Sequence, residues 1–161
     1  MRKIIPLVII ALVALMMSCS TIDCPLNNTT YTKYKLMGDI KTLNDTLTIS
    51  TTKQEGSDSV LINKDVKVDS FILPMSYHQS EDVFYFTVKN KYLQEYKDTV
   101  VVKKEDHPHF ESVDCSPSFF HTITEVKTTH NLIDSIVINN KAVNYDASKA
   151  HFYIYFGNRN N

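Results

Sequence analysis

The sequence predicts an all-β protein, a single antiparallel β-sandwich of about eight to ten strands, immunoglobulin-like or transthyretin-like in kind, following an N-terminal signal peptide. Three observations predict it. Beyond residue 18 no stretch sustains an apolar period of 3.6; alternation and short apolar runs dominate. Nine Tyr, eight Phe, abundant Thr and only three Gly form a composition suited to pleated, half-buried surfaces. Turn-forming clusters recur between the apolar runs: Gly38-Asp39, Gln54-Glu55-Gly56-Ser57, Pro74, His107-Pro108, Ser116-Pro117 and Asn139-Asn140-Lys141.

The chain opens with Arg2 and Lys3, then an apolar run over residues 4–17, the small Ser18, and Cys19. A basic start, an apolar middle and a small residue before the cut make a secretory signal. At 1.5 Å per residue the run would be about 21 Å long as a helix, short of a hydrocarbon core of about 30 Å. The cysteine at its end resembles a lipobox. That resemblance implies cleavage before Cys19 and lipidation of its thiol. Met16 and Met17 depart from the commonest lipobox pattern. Ser20, in place of an Asp, resembles signals sent on to the outer membrane. The expected division is therefore a signal peptide over 1–18, a short lipid-anchored tether over 19–23, one β-sandwich over 24–157 and a polar tail over 158–161. The expected location is the cell envelope, as an outer membrane lipoprotein on its periplasmic face or at the cell surface.

The predicted strands cover residues 32–37, 45–51, 58–62, 66–73, 82–88, 98–103, 110–113, 119–127, 133–139 and 151–156, with a helical turn over 92–97. The last of them, His151-Phe-Tyr-Ile-Tyr-Phe156, is apolar on both faces and reads as a central strand. A short pattern recurs at strand starts: Asp45-Thr-Leu-Thr-Ile49, Asp58-Ser-Val-Leu-Ile62, Asp98-Thr-Val-Val-Val102 and Asp134-Ser-Ile-Val-Ile138, with Asp69-Ser-Phe-Ile-Leu73 a looser copy. An Asp leaving a turn ahead of β-formers explains it structurally. The same pattern resembles the O-glycosylation sequon of Bacteroidota secreted proteins, with Thr46, Ser59, Thr99 and Ser135 as candidate sites.

Cysteine arithmetic follows from the lipobox. With Cys19 taken by lipid, Cys24 and Cys115 remain in an oxidising compartment, where a disulfide between them is expected. Two separate buried thiols are the alternative. A loop of about 92 residues closed by the bridge would contribute about 4–5 kcal/mol in the chain-entropy picture. The tether from Cys19 to Cys24 reaches at most about 17 Å, so the domain would sit against its membrane.

The formal net charge is −1. No basic patch interrupts the sequence, which argues against nucleic acid as a partner. Among chemistry-bearing residues, His107 and His109 stand at i and i+2 and would share one face of an extended chain. With His121, His130 or His151 from neighbouring strands they are weak candidates for a metal site, without a recognised ligand spacing. No Gly-x-Ser-x-Gly elbow and no phosphate-cradling glycine loop is present. The pairs Glu81-Asp82 and Glu105-Asp106 fall in predicted turns, where solvated charge is the expectation. Tyr31, Tyr34, Tyr77, Tyr92, Tyr96 and Tyr145 could serve as glycan platforms, although Tyr more often packs in a core or rim.

Four segments carry a family resemblance: Cys24-Pro-Leu-Asn-Asn28, Asp114-Cys-Ser-Pro-Ser-Phe-Phe-His-Thr122, His130-Asn-Leu-Ile-Asp-Ser-Ile-Val-Ile-Asn139 and His151-Phe-Tyr-Ile-Tyr155. With them the chain resembles small Bacteroidota lipoproteins that share a DUF6452-like domain of unknown function. The resemblance implies no catalytic residue and no cofactor. The expected function is a non-catalytic binding or scaffolding sandwich, held at the outer membrane by lipid and working with an envelope protein partner. A glycan- or metal-binding module and an envelope hydrolase are the alternatives.

Overall fold

The computed structural model describes residue 24 and residues 28–52 and 58–157. The signal segment, Cys19, the tether, the turn at 54–57 and the 158–161 tail lie outside the described residues. Among the described residues ten strands follow one another: β1 (Tyr31–Met37), β2 (Thr46–Thr52), β3 (Asp58–Asp65), β4 (Ser70–Pro74), β5 (Glu81–Lys89), β6 (Glu95–His109), β7 (Ser118–Thr128), β8 (Ile133–Ile138), β9 (Ala142–Val143) and β10 (Phe152–Phe156). They form a four-stranded sheet in the order β4-β1-β10-β8 and a six-stranded sheet in the order β3-β2-β5-β6-β7-β9. Every pairing between strands is antiparallel except β1 with β10, which run parallel. The fold is the β-sandwich that alternation and composition predict.

Alternation explains which residues meet between the sheets. In β5, Asp82, Phe84, Phe86 and Val88 are buried while the intervening residues are more open; in β6, Asp98, Val100, Val102 and Lys104 are buried. Four rings tie the layers together. Tyr34 of β1 stacks between Phe71 of β4 and Phe152 of β10, with centroids 5.0 and 4.7 Å away. Phe86 of β5, in the other sheet, meets Tyr34 and Phe71 edge-on at 6.4 and 5.9 Å. As the sequence suggests, β10 lies inside its sheet, between β1 and β8.

Four element predictions need correction. Residues 110–113 form no strand; β6 instead runs through the expected turn at His107-Pro108 as one strand of 15 residues. Beyond Lys103 only β7 pairs with β6, so a residue without an N–H is tolerated there. The helical turn over 92–97 is absent: the Asn90 side chain accepts from the backbone N–H groups of Tyr92 and Gln94, Leu93 takes φ 66°, and β6 begins at Glu95. The strand predicted from residue 66 begins at Ser70, because Lys67 at φ 57° breaks the extended chain. β9, two residues long, was too short for any periodicity to reveal.

Cys24 and Cys115 are disulfide-bonded, with Cα atoms 5.4 Å apart. Two further bonds reinforce this tie: Asn28 Nδ2 donates to the Pro117 carbonyl at 3.3 Å and Thr30 Oγ1 to the Phe119 carbonyl at 3.1 Å. The N-terminal segment is thereby fastened to the start of β7. This disulfide end of the sandwich gathers the start of β1, the ends of β4 and β6 and the starts of β5 and β7. The turn over residues 90–94 marks the opposite end.

Candidate functional site

The core face of the six-stranded sheet turns polar where it reaches the disulfide end. Asp82 is the second residue of β5, Lys104 and Asp106 continue the inward-facing row of β6, and His121 of β7 stands opposite Asp106 in register. A bulge helps to place them: Lys103 pairs with Glu125 but Lys104 with Ile123, so Thr124 is an extra residue in β7. Lys104 Nζ donates to Asp106 Oδ1 and to the Gln79 carbonyl, both at 2.7 Å. His121 Nδ1 lies 2.6 Å from the same Asp106 oxygen. Neither the Lys104 nor the His121 side chain reaches water: they are 0% and 1% exposed, against 23% for Asp106.

Burial dominates the electrostatics. It pushes the His121 imidazole below its ordinary value, with Asp106 opposing and Lys104 adding to the effect. The ring is therefore neutral at pH 7 and donates its Nδ1–H to the Asp106 carboxylate. Burial also pushes the Asp82 carboxyl up to about 6; Lys104 and the Ser76 N–H work against that rise. Asp82 accepts from the Ser76 N–H at 3.2 and 3.3 Å and lines a cleft of about 510 Å³ with Thr29, Met75, Tyr77, His78 and Gln79. Tyr77 stacks on Phe119 at 4.9 Å. The cleft thus presents one carboxyl that exchanges its proton near neutrality, beside an aromatic wall. In the neighbouring Lys104–Asp106–His121 chain, Lys104 and His121 are closed off from water while Asp106 keeps partial access, an arrangement suited to holding the sheet.

The carboxylate pairs Glu81-Asp82 and Glu105-Asp106 are thus not turn residues in water: both lie in strands, and the second member of each points inward. Alternation could have shown this, since Asp82-x-Phe84-x-Phe86-x-Val88 and Val100-x-Val102-x-Lys104-x-Asp106 put charges on apolar parity.

The histidine candidates separate. His107 and His109 share the open face, as their spacing predicts. His107 Nε2 pairs with Thr122 Oγ1 at 3.0 Å; His109 stacks on Phe120 at 4.3 Å and meets Glu111 at 3.2 Å. His121 lies on the opposite, core face. Among the described residues no group of three or more His, Cys, Asp or Glu is placed to hold a metal ion. His130 is exposed and meets the Asp134 carbonyl. His151 is buried, its Nδ1 accepting the Lys33 N–H at 2.9 Å.

Of the tyrosines, Tyr34 is a core ring, while Tyr77, Tyr92 and Tyr145 are exposed. Tyr145 donates to Ser118 Oγ at 2.6 Å. The four residues after the Asp of each repeated motif, Thr46, Ser59, Thr99 and Ser135, are all half-buried on strands. Asp98 departs from the turn-then-strand explanation. It is the fourth residue of β6 and buried, and it accepts from Thr129 Oγ1 and from the N–H groups of Asn131, Leu132 and Ile133. Burial works to raise its carboxyl, but those bonds outweigh burial and hold it below the usual range.

At the opposite end a wider cleft of about 870 Å³ opens beneath Tyr92, lined also by Asp39, Asn90, Gln94, Tyr96 and Phe156. Tyr92 and Leu93 are 72% and 74% exposed at the tip of the β5–β6 turn.

These features define a class: a disulfide-tied, two-sheet β domain with a buried ionic chain at the tied end and an open cleft at the other. The chain belongs to the family of unknown function DUF6452, matching it over residues 46–156. The matched stretch begins at β2 and includes Cys115 but neither β1 nor Cys24. No curated protein and no solved structure matches the chain significantly.

Proposed function

We propose that this protein is a non-catalytic binding or scaffolding module, anchored by lipid on Cys19 at the outer membrane, that engages another envelope protein. The observation that carries this reading is the Cys24–Cys115 bridge. It fastens the sandwich to the chain five residues after Cys19; with that cysteine lipidated, the opposite end, with Tyr92, Leu93 and the wider cleft, would face away from the anchor. An exposed aromatic beside an apolar residue above a mixed cleft suits a protein contact. The sealed state of His121 and Lys104 favours a structural role for the ionic chain over the envelope hydrolase alternative.

Photo-crosslinking in native membranes tests this. A crosslinkable residue at Tyr92 or Leu93 is expected to give one discrete adduct, and one at Val60, on an edge strand far from the tip, none. No adduct from the tip, or equal adducts from every exposed position, contradicts it.

A second reading, glycan binding, draws on the 510 Å³ cleft, where Tyr77 offers a ring beside Ser76, Gln79 and Asp82. Saturable binding of envelope polysaccharide that Tyr77→Ala abolishes would favour it over the first. As a modification, O-glycosylation fits Thr46, Ser59 and Ser135 better than Thr99, whose preceding Asp98 is buried and engaged.

A further inference from the structure

We infer that the loop between β6 and β7 is a membrane-contact element, which sets Phe110 and Val113 into the interface of the bilayer that carries the anchor. The inference rests on the lipoprotein reading above. Phe110 is 62% and Val113 97% exposed, the latter the most exposed of the large apolar side chains described. An apolar side chain with almost no protein contact gains nothing from the fold and gains on meeting a second apolar medium.

The occupant follows from where the chain outside the described residues begins. Val113 lies two residues before Cys115, and Cys115 is bridged to Cys24 with 5.4 Å between their Cα atoms. Only residues 20–23 separate Cys24 from Cys19, a reach of at most about 17 Å. The bonds from Asn28 and Thr30 to the 117–119 segment keep this end from swinging away from the chain's entry point. A lipid on Cys19 therefore brings the disulfide end of the sandwich, this loop included, to the membrane surface.

Charge narrows the surface. The loop carries Glu111 and Asp114 and no Lys or Arg over residues 110–117, and Glu111 is partnered by His109. Contact is therefore apolar, suited to zwitterionic lipid, without the cationic attraction that anionic headgroups require. β6, 15 residues long, spans up to about 50 Å and places the Tyr92 tip well beyond the interfacial zone.

The absence of Trp from the chain allows a direct test. Full-length lipidated protein carrying Val113→Trp, Phe110→Trp or Tyr92→Trp is reconstituted into phosphatidylcholine vesicles with and without brominated acyl chains. Flotation is measured alongside fluorescence. Bromolipid quenching and a blue-shifted emission for the Val113→Trp and Phe110→Trp proteins, with neither change for Tyr92→Trp, is the expected result. Co-flotation of all three with no quenching of the loop variants overturns the inference and leaves the anchor standing. Quenching at Tyr92→Trp alone overturns it by reversing the orientation. Failure of every protein to float removes the anchor reading and this inference with it.

Discussion

A carboxylate on the apolar parity of a strand carries the cost of its own burial, and at Asp82 that cost is legible as pH dependence. Its carboxyl, raised from 3.8 to about 6, holds a proton more tightly folded than unfolded. The stability it contributes is complete below about pH 4 and lost as the pH rises through 6. Asp82→Asn keeps an acceptor for the Ser76 N–H and cannot ionise. Urea titrations should show wild type and variant close at pH 4, with the variant ahead by about 2–3 kcal/mol at pH 7; parallel curves at all pH values contradict this. His121 and His151 act in the opposite sense, since burial lowers both. Their contribution is complete above about 6.5 and is lost as the pH falls toward their lower folded values, equally in both proteins, so it cancels in the comparison. Lys104→Met strands Asp106 and Asp82 without their cation. It should cost about 3–5 kcal/mol at pH 7, and less at pH 5, where Asp82 is neutral.

Among the elements, β10 bears most on the fold. It is the last strand in sequence yet sits between β1 and β8, pairing parallel with β1 in the register Tyr34–Phe152 to Met37–Tyr155. The four-stranded sheet therefore closes only when residues 152–156 arrive beside β1, and such long-range pairing is slow to form. Ile154, fully buried on this strand, should lose about 2–5 kcal/mol as Ile154→Ala, measured by thermal or urea unfolding; a loss under about 1 kcal/mol would place the core elsewhere. Strand existence was readable because alternation reports burial of one face, and β10's double apolarity announced an interior strand. Partners were not readable, since periodicity carries no information on which strand lies alongside. Hence the parallel β1–β10 pair was invisible, as was the register that sets His121 beside Asp106 and apart from His107 and His109. The site itself was half legible: Asp82, Lys104 and Asp106 stood on core parity in the sequence, but neighbouring Glu81 and Glu105 and the adjacent His107-Pro108 made those segments read as solvated turns.

For the whole molecule, the disulfide matters more for posture than for the core. The ring cluster of Tyr34, Phe71, Phe86 and Phe152 joins the sheets without it. Cys24→Ser with Cys115→Ser should therefore fold to the same sheets, seen by circular dichroism, while losing about 2–5 kcal/mol of unfolding free energy. A variant that fails to fold would make the bridge a requirement of the core instead. What the bridge fixes is which end faces the N-terminal segment, and everything proposed about anchor, loop and distal cleft depends on that segment ending in lipidated Cys19. The most direct measurement is non-reducing mass spectrometry of the protein purified from its native membranes. The expected species begins at Cys19, carries a diacylglycerol on that residue and contains bridged Cys24 and Cys115. An N-terminus upstream of Cys19, an unmodified Cys19, or Cys19 joined in a disulfide would contradict it.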